Sequence, residues 1–330
     1  MSSAWIRYSA FACGLAALAL STPALAQDGG EWKPAGPVTL VLHTGPGGAS
    51  DIFARTLARS LEPVIGQPLV IHNAQGAAGA KQMAVIRAAA ADGLTLGVNT
   101  MSHFTAMQTN LKGTFAPEDF SWIAIFQFDP HVLMANPQSG MTSLSDLVEK
   151  AKASPDGQVT IGGFGSAGSV QHLAVSMLAK EAGFSVNWVG FNSTPEVITG
   201  LLGGYVDAAI ANPGPALPFF EADRVVGLGI LGHGRLESLP EVQTFAEQGF
   251  AVSPDWQQLR GLFGPPGIPE DLQEKIAAAF HKAQATEEFR NFETQSGVVS
   301  STAGPAEYRE YIKQMNEVAA ETLKDAGLVQ

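Results

Sequence analysis

Four loops in this chain carry glycines, hydroxyls and amides but no lysine or arginine: residues 43–51, 99–103, 162–169 and 190–194. The first reads His43-Thr44-Gly45-Pro46-Gly47-Gly48-Ala49-Ser50-Asp51. The second holds Thr100 and Ser102, the third Ser166 and Ser169, the fourth Phe191 and Asn192. Chemistry of this kind is anion capture without a basic side chain. Backbone N–H groups, hydroxyls and the partial positive charge of a helix N-terminus supply the attraction. A hydrogen bond to a charged group contributes roughly 1.5–3 kcal/mol, and micromolar affinity needs only about 8 kcal/mol net. Candidate contacts are therefore Thr44, Gly45, Gly47, Gly48, Ala49 and Ser50 in the first loop, Thr100 and Ser102 in the second, and Ser166 in the third. Phe191 is a candidate wall, with Asn192 and Asn212 as polar contacts.

Other chemistries fit less well. Gly163-Phe164-Gly165-Ser166-Ala167-Gly168 has the form G-x-G-x-x-G between an expected strand and an expected helix. A dinucleotide site needs a carboxylate at the end of the next strand to hold the ribose. That strand ends Trp188-Val189-Gly190-Phe191, with no carboxylate. The seven histidines include no pair three or four residues apart, so no helical metal pair exists. Ser166 lacks the glycine two residues before it that a nucleophile elbow requires. His172 reads as a packed or capping residue, and Trp188 and Trp256 as core. No cofactor, metal or catalytic residue is expected.

The elements that must position these loops alternate along the chain. Val38–Leu42 is a short apolar run that reads as a strand buried on both faces. Ser50 or Asp51 reads as the cap of a helix whose apolar face is Ile52, Phe53, Leu57, Leu61 and Ile65. Further strands are expected at 69–72, 94–98, 122–126, 131–135, 159–161, 187–189, 206–210 and 225–231. Helices are expected at 81–90, from Ser143, at 172–182, 196–202, 241–248, 270–285 and 306–326. Such alternation implies α/β architecture with mostly parallel sheets, and ligands in such sheets bind beyond the carboxyl ends of the strands.

Residues 1–26 stand apart. Arg7 is the only charge, an apolar run follows from Phe11 to Leu20, and Ala24-Leu25-Ala26 is an A-x-A cleavage site. This is a secretory signal, cleaved after Ala26. Cys13, the single cysteine, falls inside it, so neither disulfides nor thiolate chemistry are expected afterwards. Without the signal, 18 basic residues stand against 31 acidic, a formal charge of −13. No basic stripe is left for a nucleic acid.

Seven segments in order resemble the substrate-binding receptors of tripartite tricarboxylate transporters, the TctC or Bug solute-receptor family. They are Pro46-Gly47-Gly48-Ala49-Ser50-Asp51 with Ala54-Arg55, Gly66-Gln67-Pro68-Leu69-Val70, and Ala91-Asp92-Gly93-Leu94-Thr95-Leu96. Gly168-Ser169 with His172-Leu173-Ala174, and Leu201-Leu202-Gly203-Gly204-Tyr205-Val206-Asp207, follow. Ser238-Leu239-Pro240-Glu241-Val242 and Gly264-Pro265-Pro266-Gly267-Ile268-Pro269 complete the series. The sequence departs from the family at His43-Thr44-Gly45 and at Asn73-Ala74-Gln75-Gly76, which bears on the pocket.

The resemblance implies an α/β fold of the periplasmic-binding-protein type II or Venus-flytrap kind, two mixed or parallel-sheet lobes joined by a hinge. Lobe 1 would comprise residues 33–126 and 251–330, and lobe 2 residues 127–250. It further implies a small carboxylate bound by Thr44 to Ser50, with Ser169, Phe191, Asn192 and Asn212 lining the opposite wall. The implied protein is a periplasmic, monomeric receptor that serves integral-membrane transporter subunits and catalyses nothing. A ligand sensor for a signalling partner and an exported α/β enzyme are the alternatives.

Overall fold

The computed structural model describes residues 30–329. The expected export signal, residues 1–26, lies outside them. From Glu31 onward the chain forms one compact unit.

The first run of elements is β1 (Val38–Leu42), α1 (Ala49–Ile65), β2 (Leu69–Asn73), α2 (Ala80–Arg87), β3 (Thr95–Asn99), α3 (Met101–Gln108) and β4 (Ser121–Asp129). A second run follows: β5 (His131–Ala135), α4 (Leu144–Ala153), β6 (Gln158–Phe164), α5 (Val170–Ala182), β7 (Ser185–Phe191), α6 (Thr194–Leu202), β8 (Ala208–Ala211), α7 (Pro213–Glu221) and β9 (Val226–Leu231). The chain closes with β10 (Gln258–Gly264), α8 (Glu270–Gln284), α9 (Glu287–Ser296), β11 (Val299–Ala303) and α10 (Pro305–Asp325).

Two mixed sheets organise these elements into two lobes. The first has six strands in the order β11-β4-β10-β3-β1-β2, the second five in the order β7-β6-β8-β5-β9. β1 pairs in parallel with β2 and β3, whereas β10 runs antiparallel between β3 and β4. In the second sheet β6 is parallel to β7 and β8, and β5 is antiparallel to β8 and β9. A single residue, Pro130, links β4 in one sheet to β5 in the other. The chain returns between β9 and β10.

Burial follows the apolar pattern. Val38, Leu40, Val41 and Leu42 are fully buried, as a strand inside a sheet covered on both faces must be. Phe53, Leu57, Leu61 and Ile65 turn the same face of α1 into the core beside Phe126 and Phe280. Ile52, expected on that face, is instead exposed. α1 ends at Gly66, whose left-handed φ of 73° lets its N–H reach the Glu62 carbonyl. α10 packs on α3 and β4 of the first lobe and on α5 of the second, tying both into one core cluster.

Four local expectations are corrected. The cap of α1 is Gly48, with Ser50 and Asp51 inside the first turn. Residues 101–103 form the first turn of α3, not a loop. Gly162 and Gly163 belong to β6, which continues to Phe164. Residues 241–248 form turns, because Gln243 and Phe245 exchange backbone hydrogen bonds with Ile230 at the edge of β9 and are held extended there. β10, absent from the sequence reading, is central to the first sheet.

Candidate functional site

The glycine loop between β1 and α1 is shaped by one buried carboxylate. Asp51 is 2% exposed and its Oδ2 accepts the Gly47 N–H at 2.9 Å. Arg55, one turn on, donates from Nε to Oδ2 at 2.9 Å and from a terminal nitrogen to Oδ1 at 3.0 Å. Asn73, at the end of β2, donates to Asp51 Oδ1 and to the Thr44 carbonyl. The Arg55 guanidinium, then the Gly47 N–H, hold the Asp51 carboxyl far below the usual carboxylate range. The Gly48 N–H is spent on the Gly45 carbonyl. Among the described residues, no acceptor takes the N–H groups of Ala49 and Ser50, the first two of α1. A helix start leaves such donors for a ligand.

A cleft of about 1110 Å³ faces these donors. Its first-lobe wall includes Thr44, Ser50, Gln75, Thr100 and Ser102. The second-lobe wall includes Phe164, Asn192, Ser193, Thr194 and Asn212. The starts of four helices meet there. Gly48 opens α1, Thr100 opens α3, Ser193 opens α6 with its hydroxyl accepting the Glu196 N–H, and Asn212 opens α7 ahead of Pro213. Each start carries roughly half a positive charge, so the cleft favours an anion although the chain as a whole is acidic. The turn after α9 also closes on the second lobe, with Gly297 and Gly214 in close backbone approach.

The cleft floor is polar and buried. His103 accepts the Thr100 N–H at Nδ1, and its Nε2 meets Gln82 Oε1 at 2.7 Å. Gln82 in turn donates to the carbonyls of Val41 and Val98, fixing α2 against two strand ends. Burial drives the His103 pKa well below its ordinary value and that of His43 down to about 4, so both rings are neutral at pH 7. Beside them lie Arg260 of β10 and Asp129 of β4, with a terminal guanidinium nitrogen 3.7 Å from Asp129 Oδ2. The loops carry no basic side chain, yet the cleft has one, supplied by a strand. Sequence reading missed it because a lone arginine in an apolar run resembles any strand residue.

Of the residues expected at the site, Thr44, Gly47, Gly48, Ala49, Ser50, Thr100, Ser102, Asn192 and Asn212 line the cleft. Four do not. Gly45 faces the Gln75 amide. Ser169 caps α5, its hydroxyl accepting the His172 N–H, and Ser166 lies in the same loop. Phe191 lies against Gly162 and Gly200, filling the room their missing side chains leave. Phe164, half exposed, supplies an aromatic face to the second-lobe wall. His172 has the packed, capping role expected of it: Nδ1 accepts the Gly168 N–H and the ring meets Trp188 edge-on. Trp256 is fully buried and donates to the Val170 carbonyl.

Comparison with known proteins agrees with this geometry. Residues 53–328 match the family model described as tripartite tricarboxylate transporter family receptor. Protein BugT of Bordetella pertussis is 29% identical over 300 residues, covering 89% of this chain and 90% of that protein. A TctC solute binding protein from Polaromonas superposes with a TM-score of 0.78 at 20% identity, over 88% of this chain and 99% of that one. MatC from Rhodopseudomonas palustris, solved with bound malate, has a TM-score of 0.68 at 26% identity, over 87% of this chain and 99% of that one. The chain belongs to the tripartite tricarboxylate transporter receptor family.

Proposed function

We propose that the protein is an exported receptor that captures a small carboxylate between its lobes for a tripartite tricarboxylate-type transporter, without catalysis. The observation that carries this reading is the convergence of four helix N-termini on one cleft, with the Ala49 and Ser50 N–H groups free to donate to a carboxylate. The malate held by MatC, a 26% identical relative, supports the same ligand class. In this reading Thr44 to Ser50 anchor the carboxylate, while Asn192 and Asn212 meet the ligand from the other lobe. Lobe 1 takes residues 33–126 and 251–330 and lobe 2 residues 127–250, with closure about the two crossings favoured by a ligand that touches both. The protein works as a monomer in the periplasm after cleavage at Ala26. The closed form presents its surface to integral-membrane subunits.

A thermal-shift screen against citrate, C4-dicarboxylates, aromatic acids, amino acids and their amide analogues tests this. Ligand at a hundred times its Kd adds about 2.7 kcal/mol of stability, a clear rise in Tm. The expected hit is an acid whose amide analogue gives no shift. Stabilisation by uncharged compounds alone, or conversion of the bound acid to product, would overturn the reading.

A further inference from the structure

Arg260 is the only lysine or arginine lining the cleft among the described residues, and Asp129 the only carboxylate. Both side chains are 12% exposed, and their nearest charged atoms stand 3.7 Å apart. That separation is an ion pair but exceeds hydrogen-bond length, so neither group's capacity is consumed by the other. Arg260 Nε and Asp129 Oδ1 are buried and have no partner among the described residues, and the same holds for Gln258 Oε1 beside them. An unpaired buried polar atom is costly, which makes this cluster a place where a ligand's polar groups gain the most.

Charge decides what fits. Asp129 already offsets the guanidinium, and the neighbouring His43 and His103 are neutral. A carboxylate alone would satisfy Arg260 but add an uncompensated negative charge against Asp129. An ammonium alone would satisfy Asp129 and be repelled by Arg260. A head group bearing both on adjacent atoms satisfies both partners and adds no net charge, avoiding the penalty of an unpaired buried ion.

We propose that Arg260 and Asp129 form a subsite for a zwitterionic α-amino-acid head, so that the ligand is an amino dicarboxylate whose second carboxylate meets the glycine loop. This rests on the carboxylate-capture reading above and specifies its substrate class. Burial pushes the Asp129 carboxyl up, with Arg260 opposing that shift, and an arriving ammonium would favour the charged form further. The guanidinium stays protonated throughout and presents a planar fork to the carboxylate.

Calorimetric titration of the protein purified after export, with L-glutamate and L-aspartate against their deaminated counterparts glutarate and succinate, tests the inference. At least one amino diacid should bind at least about tenfold tighter than its counterpart, a difference of about 1.4 kcal/mol. In Asp129→Asn that ratio should fall below about threefold. Equal or tighter binding of the plain diacids overturns the inference, and so does a ratio unchanged in Asp129→Asn. Should that variant fail to fold, the wild-type ratio alone decides. Binding of other carboxylates with none of these four overturns the subsite and leaves carboxylate capture standing. Binding of uncharged compounds only overturns both.

Discussion

The Asp51 carboxylate accepts the Gly47 N–H at 2.9 Å, so the helix that follows the glycine loop also sets the loop's shape. Arg55 and Asn73 complete the clamp from the next turn of α1 and from β2. The Gly47 donor is thereby withdrawn from the ligand, and the free donors move one and two residues into the helix.

Removing that clamp should loosen the loop and stability together. Asp51→Asn loses a charge-assisted hydrogen bond in a buried setting, a cost of about 1.5–3 kcal/mol. The folded-state pKa of Asp51 is depressed, so its contribution is present above the ordinary carboxylate pKa of about 4 and is lost as pH falls below it. Tm measured from about pH 6 down to about pH 3 should fall less steeply in the variant than in the wild type.

Ala49→Pro separates ligand binding from folding. Proline is tolerated at the first helical position, and the Gly48 backbone at φ −71°, ψ 162° is the extended conformation that precedes proline comfortably. The substitution removes one of the two free donors. Carboxylate affinity should drop roughly ten- to a hundredfold, with Tm of the unliganded protein nearly unchanged. Unaltered affinity would move the anchor away from this helix start.

Gly190→Ala should destabilise without touching the cleft. A Cβ there would lie inside contact distance of the Gly165 carbonyl oxygen, a backbone atom that cannot rotate away. The Trp188 indole N–H already donates to that same carbonyl at 3.1 Å. Overpacking of this kind costs about 1–3 kcal/mol. Gly36→Ala, with nothing within 4 Å of the added carbon, is the matched control and should stay within about 0.5 kcal/mol in denaturant unfolding.

Acid should weaken the fold through histidines as well. His131 is fully buried on β5, and burial lowers its pKa to about 4, as it does for His43. The unfolded imidazole takes its proton near pH 6.5, so between that pH and about 4 the unfolded state binds more protons and stability falls. Each such histidine contributes up to about 1.4 kcal/mol per pH unit. Asp129 and Glu293, whose carboxyls burial pushes up, act with the opposite sign. His131→Leu should flatten the wild-type slope by up to that one-histidine amount, as read from chemical denaturation at about pH 6.5, 5.5 and 4.5.

Much of the fold is written locally. β1 and β5 have the bounds their apolar runs predict, and Ser143 caps α4 as expected. Glycine loops, hydroxyl caps and the Asn212-Pro213 helix start are local chemistry too, and most of the residues they single out line the cleft. Where local signals misled, a long-range partner was responsible. Residues 243–245 have helical spacing but are held extended by Ile230 of β9. Phe191 has a position suited to a cleft wall, yet the glycines of β6 and α6 draw its ring inward.

By itself, then, the sequence determined the alternating α/β elements, the glycine loop and its helix, and the anion-favouring character of the strand ends, because each depends on residues within a turn or two of one another. Only the tertiary structure decided the charge at the centre of the cleft. Arg260 and Asp129 are 131 positions apart, and they meet because β10 inserts antiparallel beside β4, pairing Gln258 with Asp129. No local pattern encodes that register. It is set by the packing of the whole sheet, and it puts Arg260 beside Asp129, the one Lys or Arg and the one carboxylate lining the cleft among the described residues.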